Sequence, residues 1–300
     1  MVVLEILGNL FVQLAFTVGF IILYGGFISL CNRCFYDACG DTAFGIVRMT
    51  GYIGTPVHEL SHALMCVLFG HTVKKISMFG DSRRSRTLGY VEHTYYRGNL
   101  YHQIGNFFIG ISPVLAGGLV ILLLVRVLTP DIYFGMRTET VHIGAAFAAG
   151  FDGGALLSLL GGVGSMLGAL FSLHNFLSWC WWLCMLISFS IAIHMEVSRS
   201  DILSGLRGLS VISAMLLVAD IILGLLFPNA LAAVTSACVT AGIFIALLML
   251  IPAVFSFIIG GISLIVIFVR ESAKSIRNDR AEPAVNHHTV PVRKKTGRKK

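Results

Sequence analysis

The chain has 300 residues, a formal net charge of +7, 56% hydrophobic residues and only 12% charged residues. A soluble fold of this length needs far more charged side chains to cover its surface, so the composition predicts a polytopic membrane protein. It excludes a soluble enzyme, a disordered chain and a nucleic-acid-binding domain. Most of the basic residues lie instead in a loop at 74–97 and in the C-terminal tail, as is typical of cytoplasmic segments.

Apolar runs predict an all-α fold with about six transmembrane helices, because a membrane span needs about 20 apolar residues. In chain order, the predicted spans are 4–30, 44–70, 104–128, 176–194, 209–227 and 231–269. The stretch 141–173 is rich in Gly and Ala and less apolar, which favours a re-entrant or interfacial segment. The first run lacks a preceding basic region and a small-residue cleavage site, so we interpret it as a retained span.

Charge predicts the orientation of these spans. The basic loop and the nine Lys and Arg residues of the tail from Lys274 to Lys300 both fit the cytoplasm, with both termini on that side. Residues 1–270 are accordingly predicted to form one membrane-embedded domain in contact with the lipid bilayer. Residues 271–300 have little apolar content and are predicted to be a basic, disordered cytoplasmic tail.

Cys31, Cys34 and Cys39 cluster after the first apolar run. A C-x-x-C pair can form a disulfide or a metal clip, and both alternatives remain open here. Without a second pair in the sequence, ordinary small side chains are the favoured interpretation.

The sequence His58-Glu59-Leu-Ser-His62 has the pattern H-E-x-x-H. Histidines four residues apart lie on one face of a helix, where both imidazoles can bind one Zn²⁺. Glu59 is then placed to take a proton from a metal-bound water whose pKa the zinc lowers to about 7. Ionisable groups in an otherwise apolar helix are costly, which favours a functional site over a chance match.

Residues on both sides of this motif predict where its helix begins and ends. Thr55 is a good N-cap, Pro56 suits the first helical position, and Gly70 suits the helix end. Beyond the helix, alternating segments at 72–79 and 87–95 predict a membrane-adjacent β-hairpin. Such a hairpin can bind an unwound substrate by strand addition or can simply connect two spans.

A catalytic zinc usually has three protein ligands, so the two histidines need a partner. The candidates are Asp152, His194, Glu196 and Asp201, and we favour Asp201 because it follows a polar break where the fourth predicted span ends. Asp152, between flexible glycines, is the alternative. Asp201 can also simply cap the following helix, and Asp152 can form an ordinary Gly-Asp turn.

Three segments resemble a bacterial branch of the M50, or site-2-protease, family of intramembrane metalloproteases. They are G-T-P-V-H-E-L-S-H-A at 54–63, G-Y-V-E-H-T-Y at 89–95 with I-G-N-F-F-I-G-I-S-P at 104–113, and H-M-E-V-S-R-S-D-I at 194–202. The resemblance implies a zinc core over about 50–210, a third ligand that is an aspartate from a later span, and a bacterial cytoplasmic membrane location. Neither Asp152 nor Asp201 has the family's full Asn/Pro-rich L-D-G context.

The resulting expectation is a zinc metalloendopeptidase that uses Zn²⁺, His58, His62, Asp201 and Glu59 to cut a membrane-embedded or membrane-adjacent polypeptide. Two alternatives remain. One is a transporter or metal-handling membrane protein that uses the same histidines without hydrolysis. The other is an inactive relative that only binds polypeptides.

Overall fold

The computed structural model describes residues 2–79, 88–149 and 152–281. Its elements are α1 (Val2–Leu14), a π-helical turn (Ala15–Gly19), α2 (Phe20–Cys39), α3 (Asp41–Leu68), β1 (Thr72–Ser77), β2 (Tyr90–Thr94), α4 (Leu100–Leu128), α5 (Pro130–Ala149), α6 (Gly153–Leu170), α7 (Leu173–Phe176), α8 (Trp179–Ile193), α9 (Arg199–Leu226) and α10 (Pro228–Ala281). The all-α architecture with a small two-stranded sheet is confirmed.

Six helical stretches among the described residues are long and apolar enough to cross a membrane. They are Val3–Cys39, Leu100–Leu128, Gly153–Phe176, Arg199–Leu226, Pro228–Leu250 and Pro252–Arg277. The predicted number is therefore confirmed, but the individual assignments differ. The last two lie consecutively in α10, which continues to Ala281; residues 282–300 of the predicted tail lie outside the described residues.

The set of apolar helices differs from the predicted spans at 44–70, at 141–173 and at 176–194. The predicted fourth span corresponds to the 15-residue helix α8, which is too short to cross a membrane on its own. By contrast, the stretch Gly153–Phe176, predicted to be re-entrant or interfacial, is long and apolar enough to cross. Helix α3 is long enough, at about 42 Å for 28 residues at 1.5 Å each, but its charged and polar side chains keep it out of the apolar set. Apolar residue counts do not reveal where a helix begins, and they therefore misplace such boundaries.

Helix α3 does not begin at Thr55 and Pro56. It begins at Asp41 and runs through Pro56, which lies inside it. An internal proline removes one backbone hydrogen bond and costs about 3 kcal/mol. The preceding turns are held by tertiary packing instead, because Ala43 and Val47 are buried in a cluster with Ile193. The predicted end at Gly70 is confirmed by its left-handed φ of 72°.

Helix α4 is the central element of the bundle. It packs against α3 on one side and against α9, α8 and α10 on others. Its Val114, Ile121 and Val125 are fully buried in the main hydrophobic core. This position makes α4 a common platform for the residues of α3 and α9.

The predicted hairpin after α3 is confirmed as an antiparallel pair of strands. Thr72 pairs with Thr94 and Ser77 with Tyr90, with an irregularity between Val73 and Lys75. The predicted turn at 80–82 lies outside the described residues. Gly89, just before β2, lies against Glu59 of the H-E-x-x-H motif, so this end of the sheet lies close to the candidate site.

The Lys and Arg content of the 71–100 loop and of the C-terminal tail predicts that both lie on the cytoplasmic side of the membrane. Five apolar helices of the described residues lie between them, and five single crossings would put them on opposite sides, so this orientation requires that one of the five does not cross the membrane. Single cysteines introduced at Ser82 and Thr289 should then react equally with an impermeant maleimide in inside-out vesicles, above the background of the unmodified chain. Labelling of the two positions from opposite sides would refute this orientation.

Candidate metal centre

His58 and His62 lie one helical turn apart on α3, and backbone carbonyl groups orient both imidazoles. The Nδ1 atom of His58 lies 2.6 Å from the carbonyl oxygen of His194. The Nδ1 atom of His62 lies 2.8 Å from the carbonyl oxygen of Ile109. A carbonyl only accepts hydrogen bonds, so each Nδ1 carries the proton and donates it.

This tautomer leaves both Nε2 atoms as acceptors with free lone pairs. The two Nε2 atoms lie only 3.2 Å apart. Two neutral acceptors at this distance repel each other unless a cation lies between them. Two nitrogens on one tetrahedral Zn²⁺, each about 2.05 Å from it, would be about 3.3 Å apart. The residues therefore fit a zinc ion, and histidine ligands of zinc typically donate their second N–H to a carbonyl in this way.

Asp201 lies beside the two histidines. Its Oδ2 atom is 3.7 Å from Nε2 of His62. One ligand atom from each of His58, His62 and Asp201 lies within 4.8 Å of the others. Two neutral nitrogens and a carboxylate oxygen are a donor set that zinc accepts in catalytic sites.

Asp201 also takes part in capping α9, which was the alternative role that the sequence predicted for it. It forms a capping box with Ser198: the Ser198 side chain accepts from the Asp201 backbone N–H, and Oδ2 of Asp201 accepts from the Ser198 backbone N–H at 3.1 Å. Capping and proximity to the histidines therefore coexist in one side chain. The cap holds the carboxylate at the first turn of α9 and restricts its rotamers.

Close helix packing positions the start of α9. A Cβ atom added to Gly110 of α4 would lie 2.6 Å from the backbone oxygen of Asp201. One added to Gly208 would lie 2.5 Å from the backbone nitrogen of Phe107. Glycine is required at both contacts, because any side chain would separate the helices. Since α4 also supplies the Ile109 carbonyl, one helix sets the positions of His62 and Asp201 together.

The other candidate ligands lie elsewhere. Asp152 is exposed and caps α6, where its Oδ1 accepts from the Ala155 backbone N–H at 2.9 Å. Neither Asp152 nor Glu196 joins a group of potential ligands in the described part of the chain. His194 contributes its backbone carbonyl to His58, while its own Nδ1 lies 2.9 Å from the carbonyl oxygen of Ser190.

Glu59 is buried, with 6% of its surface exposed. The backbone of Gly89, just before β2, lies against it. A Cβ atom at Gly89 would approach Oε1 of Glu59 to 2.8 Å and its Cγ to 2.7 Å. The hairpin thus covers the Glu59 side chain and restricts the positions open to its carboxylate.

We expect Gly89→Ala to lower turnover while leaving the metal in place. The added methyl group must push Glu59 away, and misplacing a reacting group by about 1 Å costs about 10²-fold in rate. Gly45→Ala is the matched control, since a Cβ there meets nothing within 4 Å. Kinetics and metal analysis on the same samples test this; equal turnover of the two variants would contradict it.

Sequence reasoning missed the contributions made by backbone atoms. The carbonyl groups of Ile109 and His194 orient the histidines, and Gly89 packs on Glu59. A carbonyl carries no residue-type signal, so only the fold reveals it. The sequence offered only a weak indication of the Gly89 contact, namely a glycine within the second alternating segment at 87–95.

Cys31, Cys34 and Cys39 are all free thiols near the end of α2. None of them joins a group of three potential ligands among the described residues. The structure gives no support to a metal clip there.

Residues 21–132 match the model of the family described as Peptidase M50B-like. Comparisons with curated proteins and with solved structures give no match. The matched region includes the H-E-x-x-H motif, the hairpin and helix α4. It confirms the resemblance that the sequence motifs indicate: over residues 21–132, this chain is similar to the M50-like, or site-2-protease-like, family of peptidases.

Proposed function

We propose that this protein is a zinc-dependent membrane endopeptidase that hydrolyses peptide bonds in membrane-embedded or membrane-adjacent polypeptides. The observation that carries the proposal is the pair of Nε2 atoms, 3.2 Å apart, on histidines whose Nδ1 atoms are both held by carbonyl groups. The match to a peptidase family and the six apolar helices support the reaction class and the setting.

His58, His62 and Asp201 would hold the zinc ion. When bound, zinc supplies a Lewis acid that acidifies water and polarises the substrate carbonyl. Asp152 remains the alternative third ligand, but it is exposed and joins no group of potential ligands in the described part of the chain, whereas Asp201 lies beside His62. The carboxylate offsets one of the two charges of the ion in a low-dielectric interior, where an uncompensated cation is costly.

Glu59 acts as the general base. It accepts a proton from the attacking water as the bond between the water oxygen and the peptide carbon forms. It then returns the proton to the leaving nitrogen as the C–N bond breaks. A buried carboxylate next to the hairpin backbone is restrained, which favours both transfers.

The hairpin is positioned to bind the substrate chain. Gly89 leads into β2 and contacts Glu59, so the beginning of the strand lies at the site. Among the described residues the sheet has two strands, so each has one edge that no other described strand pairs with, and such an edge can pair with an extended peptide. Helical backbone hydrogen bonds shield a peptide bond, so pairing with the hairpin would keep the scissile segment unwound.

Metal removal tests the zinc requirement. In proteoliposomes that contain a membrane-tethered reporter peptide, we expect wild-type cleavage to stop after dialysis against a strong chelator. Cleavage should return when Zn²⁺ is added back, and Mg²⁺ should not restore it, because magnesium prefers octahedral oxygen ligands. Full cleavage by the metal-free protein would refute the proposal.

A transporter or metal-handling protein is the second candidate, supported by the same two histidines. A transport site has no evident need for Glu59 between two ligands. The two candidates therefore differ in what Glu59→Gln does, as set out in the Discussion.

A further inference from the structure

A second group of potential metal ligands lies at the C-terminal end of α3, one helical turn beyond His62. Cys66, His71 and His93 each offer a ligand atom within 4.8 Å of the other two. Cys66 is fully buried and His71 is 4% exposed. None of these residues belongs to the His58, His62 and Asp201 group.

The backbone at the end of α3 fixes two members of this cluster. The backbone N–H of His71 donates to the carbonyl oxygen of Cys66 at 2.7 Å, and that of Gly70 donates to Val67 at 3.2 Å. With the left-handed φ of Gly70, these bonds form a Schellman motif. The motif folds His71 back over the last turn of the helix, next to the Cys66 side chain.

The hairpin brings in the third member. His71 directly precedes β1, and His93 lies on β2 opposite Val73. This pairing places Nδ1 of His93 3.1 Å from Nδ1 of His71. The ring of Tyr95 stacks on that of His71, with centroids 4.8 Å apart and planes 15° apart. The cluster therefore joins α3, the residue just before β1, and β2.

The orientation of His71 matches that of a metal ligand. Its Nε2 lies 2.8 Å from the carbonyl oxygen of His102, so Nε2 is the donor and Nδ1 is the acceptor that faces the cluster. This is the arrangement by which zinc-binding histidines are held.

We propose that Cys66, His71 and His93 form a second metal site, which binds Zn²⁺ and fastens the hairpin to the end of α3. One thiolate and two imidazoles are a borderline-soft donor set that suits zinc and does not suit Mg²⁺ or Ca²⁺. A water molecule completes the fourth position. Binding releases the thiol proton of Cys66 to solvent, and no redox step is involved.

A metal ion bound to Cys66, His71 and His93 would also affect the position of Glu59 in the first site. Gly89 contacts Glu59 from the residue just before β2, and His93 lies four residues further along the chain. A metal bond at His93 would hold β2 against α3 and so keep Gly89 on Glu59. The second ion would thus position the hairpin without touching substrate.

The alternative is that His93 Nδ1 simply donates a hydrogen bond to His71 Nδ1 beside an inert buried thiol. Substitution with Co²⁺ separates the two cases. A thiolate bound to Co²⁺ gives an intense near-ultraviolet charge-transfer band, whereas a site made of two histidines and an aspartate gives none. We therefore expect this band in the wild-type protein reconstituted with Co²⁺, and its absence would overturn the proposal.

Three variants assign the band. Cys66→Ala should lose it and bind one metal ion fewer per chain than the wild type. Cys184→Ala, which removes an equally buried thiol from α8, should keep both the band and the metal content. A triple Cys31→Ser, Cys34→Ser, Cys39→Ser variant should also keep the band. Persistence of the band in Cys66→Ala, or its loss from the triple variant, would overturn the assignment.

His93→Gln covers the case in which Cys66→Ala does not fold. It keeps a hydrogen-bonding side chain on β2 but removes the imidazole, so the band should shift or vanish and one metal ion should be lost. His62→Ala should retain the band and lose the other ion. Failure of the first site and failure of this one are therefore distinguishable. An unchanged spectrum and metal content in His93→Gln would contradict the proposal.

Discussion

Glu59→Gln should retain zinc and lose peptidase turnover by about 10²–10⁴-fold, the usual contribution of a general base. Glutamine has the size and some of the hydrogen-bonding capacity of glutamate but cannot take up the proton of the attacking water. The carbonyl groups that hold His58 and His62 do not involve Glu59, so the metal ligands should keep their orientation. Cleavage of a reporter peptide and zinc content, measured on the same samples, check both parts.

His58→Ala is the contrasting variant, because it should lose metal and activity together. Two outcomes would count against the base role. Near wild-type cleavage by Glu59→Gln would mean that Glu59 only packs beneath Gly89. Loss of zinc from Glu59→Gln would mean that Glu59 supports the metal site itself.

Asp201→Ala should purify without the zinc ion of the His58, His62 and Asp201 site and without detectable cleavage. The carboxylate supplies the charge that offsets the metal ion, and two neutral imidazoles alone hold zinc weakly. Asp201→Asn refines the test, because an amide keeps an oxygen that can accept in the capping box but removes the negative charge. We expect Asn to restore the helix cap and not the zinc.

Asp152→Ala is the matched control for the third ligand. Asp152 is the N-cap of α6 and its loss costs about 1 kcal/mol, whereas Asp201 is the N3 residue of a capping box whose N-cap is Ser198, so Asp152→Ala disturbs a helix start at least as much as Asp201→Ala. Only Asp201 lies near the histidines. Zinc retained in Asp201→Ala and lost in Asp152→Ala would transfer the ligand role to Asp152.

The sequence predicts the chemistry of this site better than its architecture. The H-E-x-x-H motif fixes the relative positions of its histidines, because a four-residue spacing on a helix brings His58 and His62 together whatever surrounds them. The hairpin was also predictable, because alternating polarity and a turn signal are local. Asp201 could be predicted only as one of several candidates for the third ligand, because the sequence does not distinguish an aspartate that caps a helix from one that binds a metal.

Features that depend on tertiary packing could not be predicted. The passage of α3 through Pro56 relies on burial of Ala43 and Val47, which overrides the local preference for a helix start. The closeness of Cys66, His71 and His93 depends on how the hairpin folds back on α3. In the sequence, Cys66 lies in an apolar run and the two histidines lie beyond it, so nothing local groups the three residues.

Isotope labelling of the cleavage product tests the central claim most directly. Wild-type protein in proteoliposomes should cleave a membrane-tethered peptide in H₂¹⁸O and place one ¹⁸O atom in the new C-terminal carboxylate. Mass spectrometry detects this atom and locates the bond that is cut. The account predicts labelled product from the wild type and a 10²–10⁴-fold smaller yield of it, about that of a lost general base, from Glu59→Gln. Equal yields from the two proteins, or no cleavage by a zinc-loaded wild type, would contradict it.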